Sequence, residues 1–148
     1  MILQFLYIEA NSKVCLIFLT ENRELKTEKM AQHNELGKLG EQLAAELLIK
    51  KGYEIIVRNY VFQKAEIDII AKHNDFMICV EVKTRNSDFF GDPQEFVTPS
   101  KIKLLVKAMD AFVIENDIDL ETRFDIVAVL KNKTTEQLTH YENAFYHF

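Results

Sequence analysis

Two apolar stretches joined by a short polar connector constrain the fold of this chain more than any other feature of the sequence. The stretches cover residues 66–71 and 76–84, and the connector between them contains His73-Asn74-Asp75. A connector of this length and composition is typical of a β-hairpin. We therefore expect two neighbouring antiparallel strands.

The flanking segments predict a single mixed α/β domain. Apolar residues recur at three- and four-residue steps over residues 34–51, which is typical of an amphipathic helix, and Gly52 is expected to end it. A second helix should follow the loop at residues 86–99, with Thr98 or Ser100 as its N-cap. Further strands are expected at residues 53–59, 124–130 and 139–148, the last only partly paired. The expected fold class is α/β, with an αβββαβ core in which two long helices flank a mixed sheet.

The composition is that of an ordinary globular protein. The chain has 148 residues, of which 48% are hydrophobic and 28% charged, a size and balance that suit one domain. Its formal net charge of −5 counts modestly against nucleic-acid binding, because proteins of that class usually carry a basic balance. The two cysteines lack the spacing of a zinc site, and Cys79, within an apolar run, is expected to be buried.

The first 29 residues fit poorly with the rest of the chain. They contain apolar patches, but they lack a basic leading segment, and Glu9 and Lys13 interrupt them. They match neither a signal peptide nor a membrane span, which needs about 20 apolar residues in succession. Since Met30 opens the helical pattern, we hypothesise that the domain covers residues 30–148 and that residues 1–29 precede the biological start. We expect a cytoplasmic protein that does not contact a membrane.

Charged residues interrupt both strands of the expected hairpin. Strand periodicity puts Glu66 and Asp68 on one face of the first strand, and Glu81 and Lys83 on one face of the second. In an apolar neighbourhood these four charges require partners or a cation. An Asp and a Glu from adjacent strands suit Mg²⁺, which binds one or two protein carboxylates together with water and phosphate. The alternative is that the charges face solvent and form only ion pairs.

Several short motifs together resemble those of the YraN-like family of bacterial proteins. Asp68 followed by Glu81-Val82-Lys83 is similar to the signature of the PD-(D/E)XK, or restriction-endonuclease-like, superfamily, in which archaeal Holliday-junction resolvases are near relatives. The resemblance covers about residues 34–130. One departure is Ala65, where the family usually has glycine. The motifs are Gly40-Glu41, Gly52-Tyr53, Arg58-Asn59-Tyr60, Glu66-Ile67-Asp68-Ile69-Ile70-Ala71, Val80-Glu81-Val82-Lys83-Thr84-Arg85 and Arg123-Phe124-Asp125.

The resemblance implies roles for the residues that match the family's pattern. Asp68 and Glu81 match the metal carboxylates, Lys83 matches the catalytic lysine, and Glu41 matches an acidic helix residue that supports the site. It also implies Mg²⁺ or Mn²⁺ as cofactor, DNA as partner and, by analogy with resolvases, a homodimer. Weaker candidates for contacts with nucleic acid are Arg85, Gln94 and Lys101. For Arg85 and Lys101 the alternative is an ordinary solvated position.

Three functions are compatible with these observations, in order of preference. The first is a divalent-metal-dependent nuclease that hydrolyses DNA phosphodiester bonds, with branched DNA among its candidate substrates. The second is a non-catalytic nucleic-acid-binding module on the same fold, and the third is an interaction protein whose hairpin charges are structural. Asp125 is expected to end or pair a strand. The histidines lack ligand spacing and are expected at the surface; they are His33, His73, His140 and His147.

Overall fold

The computed structural model describes residues 26–28, 30–86 and 97–145. The chain divides into two units, residues 1–36 and 37–148. In the first unit the described residues, 26–28 and 30–36, are helical, so most of the expected extension at residues 1–29 lies outside the described residues. Within the described ranges, no helix combines the length and the apolar character that a membrane crossing requires.

The described part of the second unit is a five-stranded sheet with two helices. The part of helix α1 that belongs to this unit covers residues 37–50, and α2 covers Pro99–Glu115 between the third and fourth strands. The strands are β1 (Glu54–Phe62), β2 (Ala65–His73), β3 (Phe76–Arg85), β4 (Glu121–Lys131) and β5 (Glu136–Tyr141). The prediction of a mixed α/β fold is therefore confirmed.

The sheet follows chain order, β1-β2-β3-β4-β5, and only the pairing of β3 with β4 is parallel. The expected hairpin is confirmed, since β2 and β3 pair antiparallel up to His73 opposite Phe76. Asn74 in the intervening turn has a φ of 52°, a left-handed conformation that asparagine tolerates better than most residues. The parallel pair needs a longer crossover connection, and that connection contains α2.

The expected last strand at residues 139–148 is misplaced. Strand β5 begins at Glu136 and ends at Tyr141, and residues 146–148 lie outside the described residues. The reason is a tight turn directly after β4, in which the Asn132 side chain accepts hydrogen bonds from the N–H groups of Thr134 and Thr135. This turn reverses the chain and starts the β4–β5 hairpin earlier than the aromatic residues at the end of the sequence indicate.

Each face of the sheet packs against one helix. Helix α2 contributes Leu105, Ala108, Met109 and Phe112 to a core that includes Ile67, Ile70, Cys79 and Ile126. Helix α1 contributes Ala44, Ala45 and Leu48 to a second core with Ile69, Ile78, Val80 and Val127. The burial expected for Cys79 is confirmed, as is the N-cap of α2, where Thr98 Oγ1 accepts the N–H of Lys101 at 3.3 Å.

Candidate metal centre

The candidate site lies where β2 and β3 separate. Their pairing ends at Ile69 opposite Val80, so Asp68 and Glu81 occupy the next pair of facing positions. Strand β3 continues beyond this point and stays paired with β4 as far as Arg85. The fork leaves the two carboxylates next to each other without a complete backbone ladder between them.

Asp68 is a partly buried carboxyl group in an environment that disfavours its charge. Its Oδ2 accepts a hydrogen bond from the Val82 N–H at 2.7 Å, so the side chain replaces a missing interstrand hydrogen bond. Burial raises the pKa of Asp68 to about 7, and repulsion from Glu81 and Glu41 adds to the rise, while the Val82 hydrogen bond and Lys101 oppose it. A cation beside Asp68 would therefore stabilise its ionised form.

Glu81 is buried, with 3% of its surface exposed. Its Oε1 lies 3.6 Å from the ammonium nitrogen of Lys83, and its Oε2 lies 3.1 Å from that of Lys101. Although Lys101 is close, no donor among the described residues meets Oε2 with hydrogen-bond geometry. A buried carboxylate oxygen in this condition is costly, so Glu81 retains capacity to bind a cation.

Glu41 reaches the site through a close contact between α1 and β3. Gly40 is buried, and a Cβ at this position would meet Thr84 Oγ1 at 1.9 Å, so only glycine allows the helix to approach the strand this closely. The contact brings Glu41 near enough to raise the pKa of Asp68. The structure thus places Glu41 close enough to the carboxylate pair to act on it electrostatically.

Asn59 belongs to the motif Arg58-Asn59-Tyr60, but its sequence context predicted no role for it in this site. It lies on β1 between the pairs Arg58–Ile69 and Tyr60–Ile67, which places it opposite Asp68. Its φ is 54°, and its side-chain amide donates to Glu41 Oε2 at 3.0 Å. The available signal was an asparagine within a strand, where that residue type is disfavoured.

Not all of the expected charges converge. Glu66 is exposed and, among the described residues, has no partner in the site. The strict alternation that grouped it with Asp68 breaks at that residue, because Ile67 belongs to the α2 core and Ile69 to the α1 core. The break lies opposite the left-handed conformation of Asn59, which distorts the pleat locally.

The weaker nucleic-acid candidates have different positions. Lys101 joins the site through Glu81, whereas Arg85 is exposed and its guanidinium donates to the neighbouring carbonyl oxygen of Thr84. Gln94 lies outside the described residues. The described residues therefore associate one of the three candidates with the carboxylates.

The donor set is compatible with a hard divalent ion that has open coordination positions. In the described ranges, no three side chains of the types His, Cys, Asp and Glu come together in a group that could surround a metal. Asp68 and Glu81 could act only as a carboxylate pair. Such a pair suits Mg²⁺, which commonly takes one or two protein carboxylates and completes its shell with water and substrate phosphate.

A second buried polar cluster joins β4, β5 and the segment before β1. Asp125 is fully buried, and its carboxylate accepts hydrogen bonds from Arg123 at 2.8 and 2.9 Å and from the Asn143 N–H at 2.9 Å. His140 Nε2 lies 2.9 Å from Asp125 Oδ2, and Arg123 also donates to the Tyr53 hydroxyl. Burial opposes the charge of Asp125, but these partners outweigh it and lower its pKa. The cluster is a structural connection between strands.

The surface position expected for His140 is wrong, because its side chain is only 1% exposed. Neighbouring residues of a strand, such as His140 and Tyr141, point to opposite faces of the sheet. The pairing of β4 with β5 brings the His140 side chain to Asp125. His73 is partly buried and stacks on Tyr53, whereas His33 is exposed, as expected. The expectation that the histidines lie at the surface depended on the absence of metal-ligand spacing. That spacing gives no information about the burial of a histidine within a strand.

Comparisons with known proteins identify the family. The sequence profile of Uncharacterised protein family UPF0102 matches residues 40–129. A UPF0102 protein of Flavobacterium psychrophilum is 59% identical over 119 residues, which cover 80% of this chain and 100% of that relative. A UPF0102 protein of Phocaeicola vulgatus is 44% identical over 117 residues, 79% of this chain and 97% of the relative. With more than half of its length matched by the profile, the chain belongs to the UPF0102 family.

Proposed function

We propose that this protein is a divalent-metal-dependent nuclease that hydrolyses DNA phosphodiester bonds on a restriction-endonuclease-like core. The observation that carries the proposal is the pair formed by Asp68 and Glu81 at the fork between β2 and β3. One carboxyl group has a pKa raised to about 7, and the other has a buried oxygen without a hydrogen-bond donor among the described residues. Both features are costly to the fold and favour the binding of a cation.

The order of elements supports the same assignment. Helix α1, strands β1 to β3, helix α2 and strand β4 follow one another in the αβββαβ order of that core, and β5 is added at the sheet edge beside β4. Fold order alone does not establish a reaction. The proposal therefore depends on the carboxylates and on the lysine two positions after Glu81.

Each residue of the site has a defined part in the proposed reaction. Asp68 and Glu81 would hold Mg²⁺ or Mn²⁺, which when bound supplies Lewis-acid polarisation of a phosphate group. Lys83, with its ammonium 3.6 Å from Glu81 Oε1, would orient the attacking water or stabilise negative charge that develops on the phosphate. Glu41, held by Asn59, would complete the acidic side of the site.

A non-catalytic nucleic-acid-binding module is the second candidate. The observation that favours it is that Glu81 already has two ammonium groups within 4 Å, so the ionised carboxylate has counter-ions without a metal. In that case Lys83 and Lys101 would have a structural part, and the fold would bind nucleic acid through other basic side chains.

The test compares the wild-type protein with Asp68→Asn and with a matched control, Glu66→Gln. Glu66 is an exposed carboxylate two residues from Asp68 in the same strand, so its loss should leave the site intact. Mg²⁺ and Mn²⁺ are titrated calorimetrically into each protein. Each protein is then incubated with labelled single-stranded, duplex and four-way-junction DNA.

We expect metal binding and cleavage in the wild type and the control, and neither in Asp68→Asn. Absence of both metal binding and cleavage in the wild type would refute the nuclease. DNA binding that survives both Asp68→Asn and a chelator, without any cleavage, would establish the second candidate.

A further inference from the structure

Lys101 is an unusual residue for the position it occupies. It lies in the first turn of α2, which contains no acidic side chain, and its own backbone N–H is capped by Thr98. The N-terminus of a helix carries partial positive charge, so a lysine there is electrostatically unfavourable unless an anion is close. Glu81 is that anion, with its Oε2 at 3.1 Å from the Lys101 ammonium nitrogen.

The contact between these two side chains is asymmetric. The Glu81 side chain is 4% exposed, whereas the Lys101 side chain is 35% exposed, so the ammonium approaches a buried carboxylate from the solvent side. The contact lacks hydrogen-bond geometry at Oε2. Lys101 therefore neutralises Glu81 by proximity, and its long flexible side chain can move to solvent without breaking a directional bond.

Lys83 differs from Lys101 in how it is held. Its backbone belongs to β3 and pairs with Ala128 of β4, and its ammonium lies beside the other oxygen of Glu81, at 3.6 Å. The pairing of two strands fixes the base of the Lys83 side chain. The exposed fractions of the two side chains are similar, 30% for Lys83 and 35% for Lys101. Lys101, however, reaches Glu81 from a different element, so its ammonium can turn away to solvent without any change in the strand that carries Glu81.

The net charge of the site changes when a divalent ion binds. When ionised, the three carboxylates of the site, Asp68, Glu81 and Glu41, outnumber the ammonium groups of Lys83 and Lys101 by one. A divalent ion would therefore leave the group with one excess positive charge, which the removal of Lys101 from Glu81 relieves. The released ammonium is suited to a phosphate as a flexible point charge.

We propose that Lys101 is an exchangeable counter-ion: it pairs with Glu81 in the metal-free protein and, when a divalent ion binds, moves to a phosphate group of the nucleic acid. This inference rests on the proposed metal site and adds a regulatory step to it. Metal and phosphate binding are then coupled, because each favours the position of Lys101 that the other requires.

The first experiment measures Mn²⁺ affinity in the wild type, Lys101→Met and the control Lys103→Met. Lys103 is an exposed lysine of the same helix turn, so its replacement removes the same charge without touching Glu81. We expect Lys101→Met to bind Mn²⁺ about tenfold more tightly than the wild type, which corresponds to about 1.4 kcal/mol. Lys103→Met should change the affinity by less than about twofold, as a solvated charge does.

The second experiment detects the movement of Lys101 directly. Amine labelling with a limiting acylating reagent, read by peptide mass spectrometry, should label Lys101 more strongly when Mn²⁺ is present, while labelling of Lys103 stays constant. In Asp68→Asn the metal should have no effect on Lys101. A short single-stranded oligonucleotide added with Ca²⁺ should protect Lys101 again and should bind more weakly to Lys101→Met than to Lys103→Met.

The outcomes separate this inference from the proposed function. Metal binding with equal affinity in all three proteins, together with unchanged labelling of Lys101, would overturn the counter-ion exchange and leave the metal site in place. Absence of metal binding in the wild type and in Lys101→Met would overturn the proposed metal site, and the inference with it.

Discussion

Replacement of Asp68 by asparagine should stabilise the metal-free protein at neutral and mildly alkaline pH. The carboxyl group has a pKa raised from 3.8 to about 7, first by burial and then by repulsion from Glu81. A carboxyl group whose pKa is raised on folding favours the folded state at pH values below its unfolded pKa, and this contribution is lost as the pH rises through the folded pKa. Above about pH 7 the ionised group therefore destabilises the fold.

The size of the effect depends on the same shift. The rise in the pKa of Asp68 from 3.8 to about 7 corresponds to a loss of about 4 kcal/mol in the free energy of unfolding, at ~1.36 kcal/mol per pKa unit. This value is an upper limit, because asparagine is also polar and must keep the hydrogen bond that Asp68 Oδ2 accepts from Val82. We expect the free energy of unfolding of Asp68→Asn to exceed that of the wild type by about 1–3 kcal/mol near pH 8 and by less than about 1 kcal/mol near pH 4.5.

Urea denaturation of both proteins at the two pH values measures this difference. Addition of Mg²⁺ near pH 8 should reverse the order, since an ion that binds only the folded wild type stabilises it by mass action. Glu66→Gln serves as the control, because Glu66 is exposed and its replacement should have little effect at either pH. Equal or lower stability of Asp68→Asn near pH 8 without metal would refute the reasoning that burial of this charge is costly.

Three further changes have defined outcomes. Asp125→Asn should lower the free energy of unfolding by about 3–5 kcal/mol at neutral pH, because it leaves Arg123 without its buried partner. Since the lowered pKa of Asp125 stabilises the fold above the unfolded-state pKa, the difference between the two proteins should shrink as the pH falls through the folded-state pKa. Acid titrations followed by circular dichroism measure this difference. Gly40→Ala should lower the free energy of unfolding by about 1–3 kcal/mol, because the added methyl group is overpacked against Thr84. Thermal denaturation should show that a second change, Thr84→Ala, restores part of this stability, whereas Thr84→Ser does not, since the added Cβ clashes with Thr84 Oγ1. Asn59→Gly keeps the left-handed backbone and removes the amide that donates to Glu41. It should reduce the rate of metal-dependent cleavage about fivefold, equivalent to about 1 kcal/mol, with little change in melting temperature. An unchanged cleavage rate would show that the hydrogen bond does not position Glu41.

Much of the fold was predictable because its signals are local. The hairpin of β2 and β3 was expected from two apolar runs and their connector, and the cap of α2 from Thr98 before Pro99. These features depend on residues within a few positions of one another. The start of β5 was not predictable in this way, because the turn formed by Asn132 outweighs the aromatic residues that follow it.

The sequence by itself indicated that Asp68 and Glu81 lie on adjacent strands of one hairpin, where their side chains can converge. Lys83 lies two positions after Glu81 on the same strand. Only the tertiary structure decided which other groups reach them: Lys101 arrives from α2, and Glu41 comes with α1 and is held by Asn59. Those contacts depend on how helices pack on the two faces of the sheet, and on a local break in strand alternation at Asp68. The two-residue period of a single strand predicts neither the packing of the helices nor the break in alternation. Packing between distant elements is set by the shapes and volumes of all the side chains between them.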